Sequence, residues 1–148
     1  MDWNHYRFTS VWDLPAAPDT VYAALEGAED YPRWWPQVRE VTPVDDTSAT
    51  TRFRSYLPYD LVVTLRQSRR EPASRILEAA MTGDLEGWVR WTVTPHHGGS
   101  RVLYEQETVV RRRLLRRLAV PGRLVLRANH TLMMRAGRRG LAAWLQGV

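Results

Sequence analysis

Between residues 38 and 110 the chain alternates short hydrophobic runs with clusters of turn-forming residues. The runs are rich in β-branched and aromatic residues, and many apolar positions recur at every second residue, which is the period of a half-buried strand. The clusters are DDTS at 45–48, LPYD at 57–60, REPAS at 70–74, GDLEG at 83–87 and PHHGGS at 95–100. This spacing predicts six consecutive strands in an antiparallel meander.

Pairing these strands through their turns places most of the apolar side chains on one face. Through PHHGGS, Val93 lies opposite Val102 and Trp91 lies opposite Tyr104. Because side chains alternate along a strand, this register also assigns the other strands to a face. We predict an inner face made of Phe53, Ser55, Leu57, Val63, Leu65, Gln67, Leu77, Ala79, Met81, Val89, Trp91, Val93, Val102, Tyr104 and Gln106.

The opposite face of the predicted sheet carries most of its charge. The same pairing places Arg66 opposite Glu78, and Arg90 opposite Glu105. Cross-strand pairs of opposite charge are typical of a solvated face. We therefore predict that this face points away from the core.

The N-terminal part predicts one strand and two short helices. Residues 5–14 have the composition of a strand, and Pro18 suits the first turn of a helix that stops at Gly27. The following EDYPRWWP allows only about one more helical turn, because its second proline ends the helix.

Residues 123–146 predict one long amphipathic helix. Its apolar stripe has steps of three and four residues and comprises Leu126, His130, Met133, Gly137, Leu141 and Trp144. Gly137 and Gly140 each cost a helix about 1 kcal/mol relative to alanine. We therefore expect them to allow a close approach to the sheet or to a ligand.

Composition excludes several kinds of chemistry. The 148 residues contain no cysteine, and arginine accounts for all 21 basic residues, so thiol, disulfide and lysine Schiff-base chemistry are excluded. No apolar run is long enough for a membrane span, and the start MDWNHYRF does not have a signal-peptide pattern. We expect a cytoplasmic protein.

The charge is strongly polarised along the chain. Residues 1–110 contain 11 arginines and all 16 acids, whereas residues 111–148 contain 10 arginines and no acid. This basic part is either a solvated surface or a docking site for an acidic carrier protein or an anionic membrane. The docking residues would be Arg111, Arg112, Arg113, Arg116 and Arg117. Aromatic residues are not interleaved with these arginines, which argues against nucleic-acid binding.

Few residues suggest catalysis or metal binding. His96 and His97 are adjacent in a turn with no carboxylate to complete a metal site, and no phosphate-binding or nucleophile motif occurs. We predict no metal and no cofactor. The polar candidates on the inner surface are Tyr104, His130 and Asn129.

The order of elements resembles the START-like helix-grip superfamily, in particular its polyketide cyclase/dehydrase and lipid transport branch. The resemblance covers essentially the whole chain. It rests on APDTVYAALEGAEDYPRWWPQVREV and GWVRWTVTPHHGGSRVLYEQE in this order. It implies one α+β domain over residues 1–148. In this fold a curved seven-stranded antiparallel sheet surrounds the long C-terminal helix, two short helices lie between strands 1 and 2, and an apolar cavity lies between sheet and helix.

This fold also predicts where the tryptophan pair in DYPRWWPQV lies. The two short helices would fill one end of the grip, so that Trp34 and Trp35 plug it as the chain turns into the next strand. Both rings would then belong to the core, and an alternative is that one of them also lines the rim of the cavity.

The primary function that we predict is binding of a lipid or polyketide-like molecule in the cavity. The ligand-binding residues would be Trp35, Phe53, Ser55, Val63, Leu65, Gln67, Leu77, Ala79, Met81, Trp91, Val93, Tyr104, Gln106, His130, Met133 and Gly137.

An alternative function is a cyclase or dehydratase that acts on a carrier-bound polyketide through Tyr104, His130 and Asn129. The resemblance implies a cavity tyrosine and arginine for such enzymes, whereas this chain has Val38 after the tryptophan pair and Arg66 on the outer face. A second alternative is a docking module that uses the basic region.

Overall fold

The computed structural model describes residues 5–54, 60–110 and 122–147. Strand β1 is followed by helices α1 and α2, six strands and a long helix, α3. The bounds are β1 His5–Leu14, α1 Pro18–Glu26, α2 Tyr31–Trp34, β2 Val38–Pro43, β3 Ser48–Phe53, β4 Leu61–Glu71, β5 Ile76–Gly83, β6 Leu85–His96, β7 Gly99–Val110 and α3 Arg123–Gln146. A 3-10 turn at Ala28–Asp30 joins α1 to α2.

The strands form one seven-stranded antiparallel sheet in the order β1-β7-β6-β5-β4-β3-β2. Strands β2 to β7 pair in sequence order. Strand β1 pairs with β7 and forms one edge of the sheet, and β2 forms the other edge. The sheet curves around α3. The predicted α+β helix-grip fold is therefore confirmed.

The predicted pairing of the last two strands is also confirmed. Val93 lies opposite Val102, and Trp91 lies opposite Tyr104. On the outer face Arg90 lies opposite Glu105 and donates to Glu78 Oε1 over 2.7 Å. The apolar face therefore points inward and these charges point outward.

The predicted pair of Arg66 and Glu78 is wrong. Arg66 lies opposite Ala80, and Glu78 lies opposite Arg69. The turn over residues 72–75 pairs Glu71 with Ile76, which offsets the register by three residues from the prediction, and a β-bulge between Gln67 and Arg69 reduces the offset to two. Before the bulge the pairing differs from the prediction by two residues, so each side chain stays on its predicted face.

The C-terminal half of α3 packs tightly against the tryptophan pair. A methyl group added at Gly140 would lie 1.6 Å from the Trp34 carbonyl oxygen, and one added at Gly137 would lie 2.6 Å from the Trp35 ring. The Trp35 ring N–H also donates to the Met133 carbonyl over 3.0 Å. The two glycines therefore allow the close approach that the sequence predicts, and we call this region the packed end.

Trp34 and Trp35 plug the packed end as part of the core. Each is only 4% exposed, and their rings stack with centroids 5.5 Å apart. Pro36 follows them and cannot continue the helix, so the chain passes directly into β2. Within the described ranges, no helix combines the length and hydropathy that crossing a bilayer requires.

Candidate functional site

A cavity of about 520 Å³ lies between the inner face of the sheet and the N-terminal half of α3. Its walls are mostly apolar and aromatic. Helix α3 contributes Leu126, Asn129, His130, Met133 and Met134. Gly137 and Leu141, one and two turns further along, are buried in the packed end and do not line the cavity.

Three side chains form a hydrogen-bonded polar group in this apolar wall. The Tyr104 hydroxyl donates to Gln106 Oε1 over 2.6 Å, and His130 Nε2 lies 3.1 Å from the same oxygen. Because an amide oxygen only accepts, the imidazole proton is on Nε2 and leaves Nδ1 as an acceptor. We call Tyr104, Gln106 and His130 the polar triad.

Burial keeps the triad neutral. It lowers the pKa of His130 to about 4, because the imidazolium form loses its hydration inside the protein. Burial also raises the pKa of the Tyr104 hydroxyl far above its usual value of 10, and the nearby Tyr31 adds to this effect. At neutral pH the triad therefore offers hydrogen bonds rather than charge.

Aromatic rings form a continuous chain along the cavity wall. The His130 ring stacks on Phe8 with centroids 3.8 Å apart, and Tyr104 lies 4.6 Å from Trp91. Trp91 in turn contacts Trp12 and Trp35 in the packed end. Trp91 is thus the boundary between the cavity and the packed end.

The cavity opens to solvent between two acidic loops. One follows α1 and includes Glu29 and Asp30; the other joins β2 to β3 and includes Asp45 and Asp46. All four side chains are exposed and border the cavity. Asp45 also accepts a hydrogen bond from the Thr47 amide over 2.9 Å, which holds the second loop. The entrance is therefore polar, whereas the interior is apolar.

Most of the predicted site residues lie together around the cavity. Twelve of the described ones line it: Trp35, Phe53, Leu65, Gln67, Leu77, Ala79, Met81, Trp91, Tyr104, Gln106, His130 and Met133. Asn129, predicted as a polar candidate, lines it as well.

Three of the predicted ligand-binding residues that the structure describes do not line the cavity. Val63 and Val93 are on the inner face but are 0% and 1% exposed, so they are packed rather than cavity-lining. Gly137 lies against Trp35 and Trp12. Ser55 lies outside the described residues.

The sequence reasoning missed the contribution of β1 and of the α1–α2 region. Tyr6, Phe8 and Tyr31 all line the cavity. The sequence of residues 5–14 indicated the first two, because Tyr6, Phe8, Trp12 and Leu14 are all at even-numbered positions and therefore share one face of the strand. That strand pairs with β7 and extends the inner face by one strand.

The histidine pair in the β6–β7 turn contributes nothing to this cavity. His96 lies 4.0 Å from Asp13, at the surface of the sheet. Among the residues that the structure describes, no group of three or more histidines and acids is arranged to hold a metal ion.

Comparison with known proteins places the chain in a family. Residues 14–124 match the family described as polyketide cyclase/dehydrase and lipid transport. The chain belongs to this family. Its resemblance to that branch, predicted from the sequence, is therefore confirmed. No curated protein sequence matches the chain significantly.

Solved structures show the same fold at low sequence identity. The Zhui aromatase/cyclase from Streptomyces sp. R1128 is 13% identical, with a TM-score of 0.80 over 96% of this chain and 94% of that one. A START superfamily protein from Mycobacterium smegmatis is 13% identical, with a TM-score of 0.76 over 95% and 97%. A conserved protein from Geobacillus kaustophilus is 9% identical, with a TM-score of 0.81 over 96% of each chain.

Proposed function

We propose that this chain, as a single domain, binds a hydrophobic small molecule of lipid or polyketide-like type in the cavity under α3. The observation that carries the proposal is the cavity of about 520 Å³ with apolar and aromatic walls. Ligand sites in proteins typically have volumes of about 300–1,000 Å³, mostly apolar linings and a few placed polar groups. The polar triad supplies such groups and would orient a carbonyl or hydroxyl of the ligand.

The distribution of charge favours binding over proton-transfer chemistry. The described residues that line the cavity include no arginine. Their carboxylates border the entrance or form ion pairs, Glu26 with Arg70 and Glu78 with Arg90. A site for general acid–base catalysis needs a titratable group poised near the working pH, whereas burial moves both His130 and Tyr104 away from it.

Two neighbouring alanines on β5 allow a matched test. Ala79 lines the cavity, whereas Ala80, the next residue, is exposed on the opposite face. Native mass spectrometry of the purified protein would first show whether an apolar compound is retained. Calorimetric titration with a fatty acid and with a polycyclic phenol would then compare the wild type with Ala79→Leu and Ala80→Leu.

We expect binding by the wild type and by Ala80→Leu, and at least about tenfold weaker binding by Ala79→Leu, because the added side chain occupies ligand volume. No retained compound together with no titratable binding would contradict the proposal. Equal binding by both variants would place the ligand outside this cavity.

The polar triad also favours a second candidate function, the cyclase or dehydratase. The Gln106 amide N–H could donate to a carbonyl of a carrier-bound polyketide, and His130 Nδ1 could accept from an enol hydroxyl, while a ring closes and water leaves. Tyr104 and Asn129 lie nearby in the cavity wall. The test is incubation with a thioester-linked poly-β-ketone. Aromatic product that forms faster than without protein, and more slowly with Tyr104→Phe or His130→Phe, would support catalysis. A rate equal to that without protein would exclude catalysis and would leave ligand binding as the supported function.

The predicted docking role of the arginine-rich segment stays a prediction. Arg111, Arg112, Arg113, Arg116 and Arg117 lie outside the described residues. What supports a docking site for an acidic carrier protein or an anionic membrane is the charge of residues 111–148, which contain 10 arginines and no acid.

A further inference from the structure

The outward face of α3 presents exposed arginines beside exposed aliphatic residues. Leu124 is 82% exposed, Val125 55% and Leu132 43%. Arg127, Arg135, Arg138 and Arg139 are also exposed. At 100° per residue these seven positions fall within an arc of about 160°. We call them the outer face of α3.

The arginines of this face differ from those of the sheet. Of the 11 arginines between residues 5 and 110, nine form ion pairs with acids, as in the pairs of Arg52 with Asp60 and Arg101 with Asp13. On the outer face of α3 none of the four forms an ion pair with a described residue, and α3 contains no acid. The Arg127 guanidinium lies 5.8 Å from the centroid of the Tyr6 ring, so the positive charges left for a partner outside the chain are those of Arg135, Arg138 and Arg139.

The aliphatic residues narrow the chemistry of that partner. Val125 and Leu132 lie on one side of the arc and Leu124 near its middle, whereas Arg127 and Arg138 flank the other side. In an interfacial helix, aliphatic side chains enter the acyl boundary while long arginine side chains reach the phosphates. An acidic protein would pair with the arginines, but it would not explain why Leu124 beside them is 82% exposed.

Arginines and aliphatic residues also alternate in the sequence just before the helix. Residues 111–120 read RRRLLRRLAV, in which pairs and triplets of arginine alternate with leucine. Clusters of arginine next to apolar residues at a helix are typical of binding to anionic headgroups. The combination of arginines and aliphatic residues on α3 is thus part of a longer stretch of sequence with the same composition.

We propose that the outer face of α3 docks on the surface of an anionic lipid bilayer. This inference goes beyond the proposed ligand binding and does not rest on it, because the cavity lies on the opposite side of the helix. Docking would place the helix that covers the cavity against the membrane.

The test uses co-sedimentation with vesicles of phosphatidylcholine, with and without phosphatidylserine. The variant Arg138→Glu/Arg139→Glu changes the outer face. Arg39→Glu/Arg66→Glu is the matched control, since these two arginines are also exposed, form no ion pair with described residues and change the net charge equally. Leu124→Ser/Leu132→Ser separates the apolar contribution from the charge.

We expect the wild type to sediment with phosphatidylserine vesicles and not with phosphatidylcholine alone. Binding should weaken as salt rises through about 0.15 M, where screening acts over about 8 Å. The double reversal on α3 should reduce binding at least about tenfold, and the control less than about twofold, because attraction decays within a Debye length of the surface. The leucine variant should lose the binding that remains at high salt.

Three outcomes would overturn the proposal. One is no association with phosphatidylserine vesicles at low salt, and a second is an equal loss in the two arginine variants. The third is binding to an acidic protein without binding to vesicles, which would assign the face to a protein partner. Apolar-ligand titration and thermal unfolding of each variant establish that the fold is intact.

Discussion

The space between the sheet and α3 is filled at one end and empty at the other. At the packed end Gly137 and Gly140 let the helix touch Trp35 and the Trp34 backbone. At the cavity end the same helix carries His130 and Met133, and about 520 Å³ stays open beneath it. The difference shows that the size of the α3 side chains decides where helix and sheet meet.

The two ends also differ in their hydrogen bonds. At the packed end the Trp35 ring N–H donates to a helix carbonyl, which joins the plug directly to α3. At the cavity end His130 reaches only as far as Gln106 on β7. Helix α3 is therefore joined to the tryptophan pair through its backbone at the packed end, and to the sheet through a side chain at the cavity end.

The largest expected effect comes from filling the packed end. Gly140→Ala should destabilise the fold by about 5 kcal/mol, because its methyl group would overlap a backbone oxygen that no rotamer change can move away. Urea unfolding followed by far-ultraviolet circular dichroism measures this loss. Gly147→Ala is the control, since its added methyl group would make only ordinary contacts and should change the stability by less than about 1 kcal/mol. Similar stabilities for both variants would mean that α3 does not approach Trp34 this closely.

Trp91 tests the boundary between the two ends. Trp91→Ala should cost about 3–5 kcal/mol, because the ring contacts Trp12, Trp35 and Tyr104. It should also weaken binding of an apolar ligand, since the ring lines the cavity. Unfolding and calorimetric titration of the variant measure both effects. Unchanged stability and affinity would place Trp91 outside the core and the cavity.

Acid should affect the cavity end before the rest of the molecule. The pKa of His130 is about 4 in the folded protein and 6.5 in the unfolded chain, so the unfolded state takes up the proton first. The stability from a neutral His130 is therefore complete above pH 6.5 and is lost progressively toward pH 4, by at most about 3 kcal/mol.

The variant His130→Gln isolates this effect. It should unfold with a flatter dependence on pH in that interval, as measured by urea midpoints at successive pH values. The pKa values of Asp13, Asp45 and Asp60 are held below 3.8 by hydrogen bonds, so their stabilising effects are lost only at lower pH. An unchanged slope in His130→Gln would show that another group is responsible.

The smallest expected effect on stability comes from filling the cavity. Ala79→Leu should change the free energy of unfolding by less than about 1.5 kcal/mol, because the added methylene groups enter open space. The same variant should lose ligand binding, unlike Gly140→Ala, whose primary defect is folding. Thermal unfolding with and without ligand measures both properties. A loss of several kcal/mol in Ala79→Leu would mean that this end is as tightly packed as the other.

The inner face of strands β3 to β7 was predictable, whereas the depth at which its residues lie was not. Alternation placed Val63, Val93 and Leu65 correctly on the inner face. Only Leu65 lines the cavity, whereas Val63 and Val93 are 0% and 1% exposed. The depth of a residue depends on contacts between distant parts of the chain, as between Trp34 and Gly140, and a strand pattern does not contain them.

Local irregularity limited the prediction in a second way. The bulge between Gln67 and Arg69 reverses the alternation beyond it, so that Arg69 lies opposite Glu78 and Arg70 lies opposite Leu77. The role of Phe8 was missed because its partner in the cavity, His130, belongs to the other end of the chain. Periodicity within a segment therefore predicted the fold well and the site only in part.

The contacts among the tryptophans have an optical consequence. Trp12, Trp34, Trp35 and Trp91 form a chain of ring contacts with centroid distances from 5.1 to 6.3 Å. Indole transitions at such separations couple, so we expect these four rings to contribute to the near-ultraviolet circular dichroism as one cluster whose signal depends on its fixed packing. A molecule that touches only Trp91 would therefore alter the signal of all four rings, and the protein contains its own spectroscopic sensor for an occupied cavity.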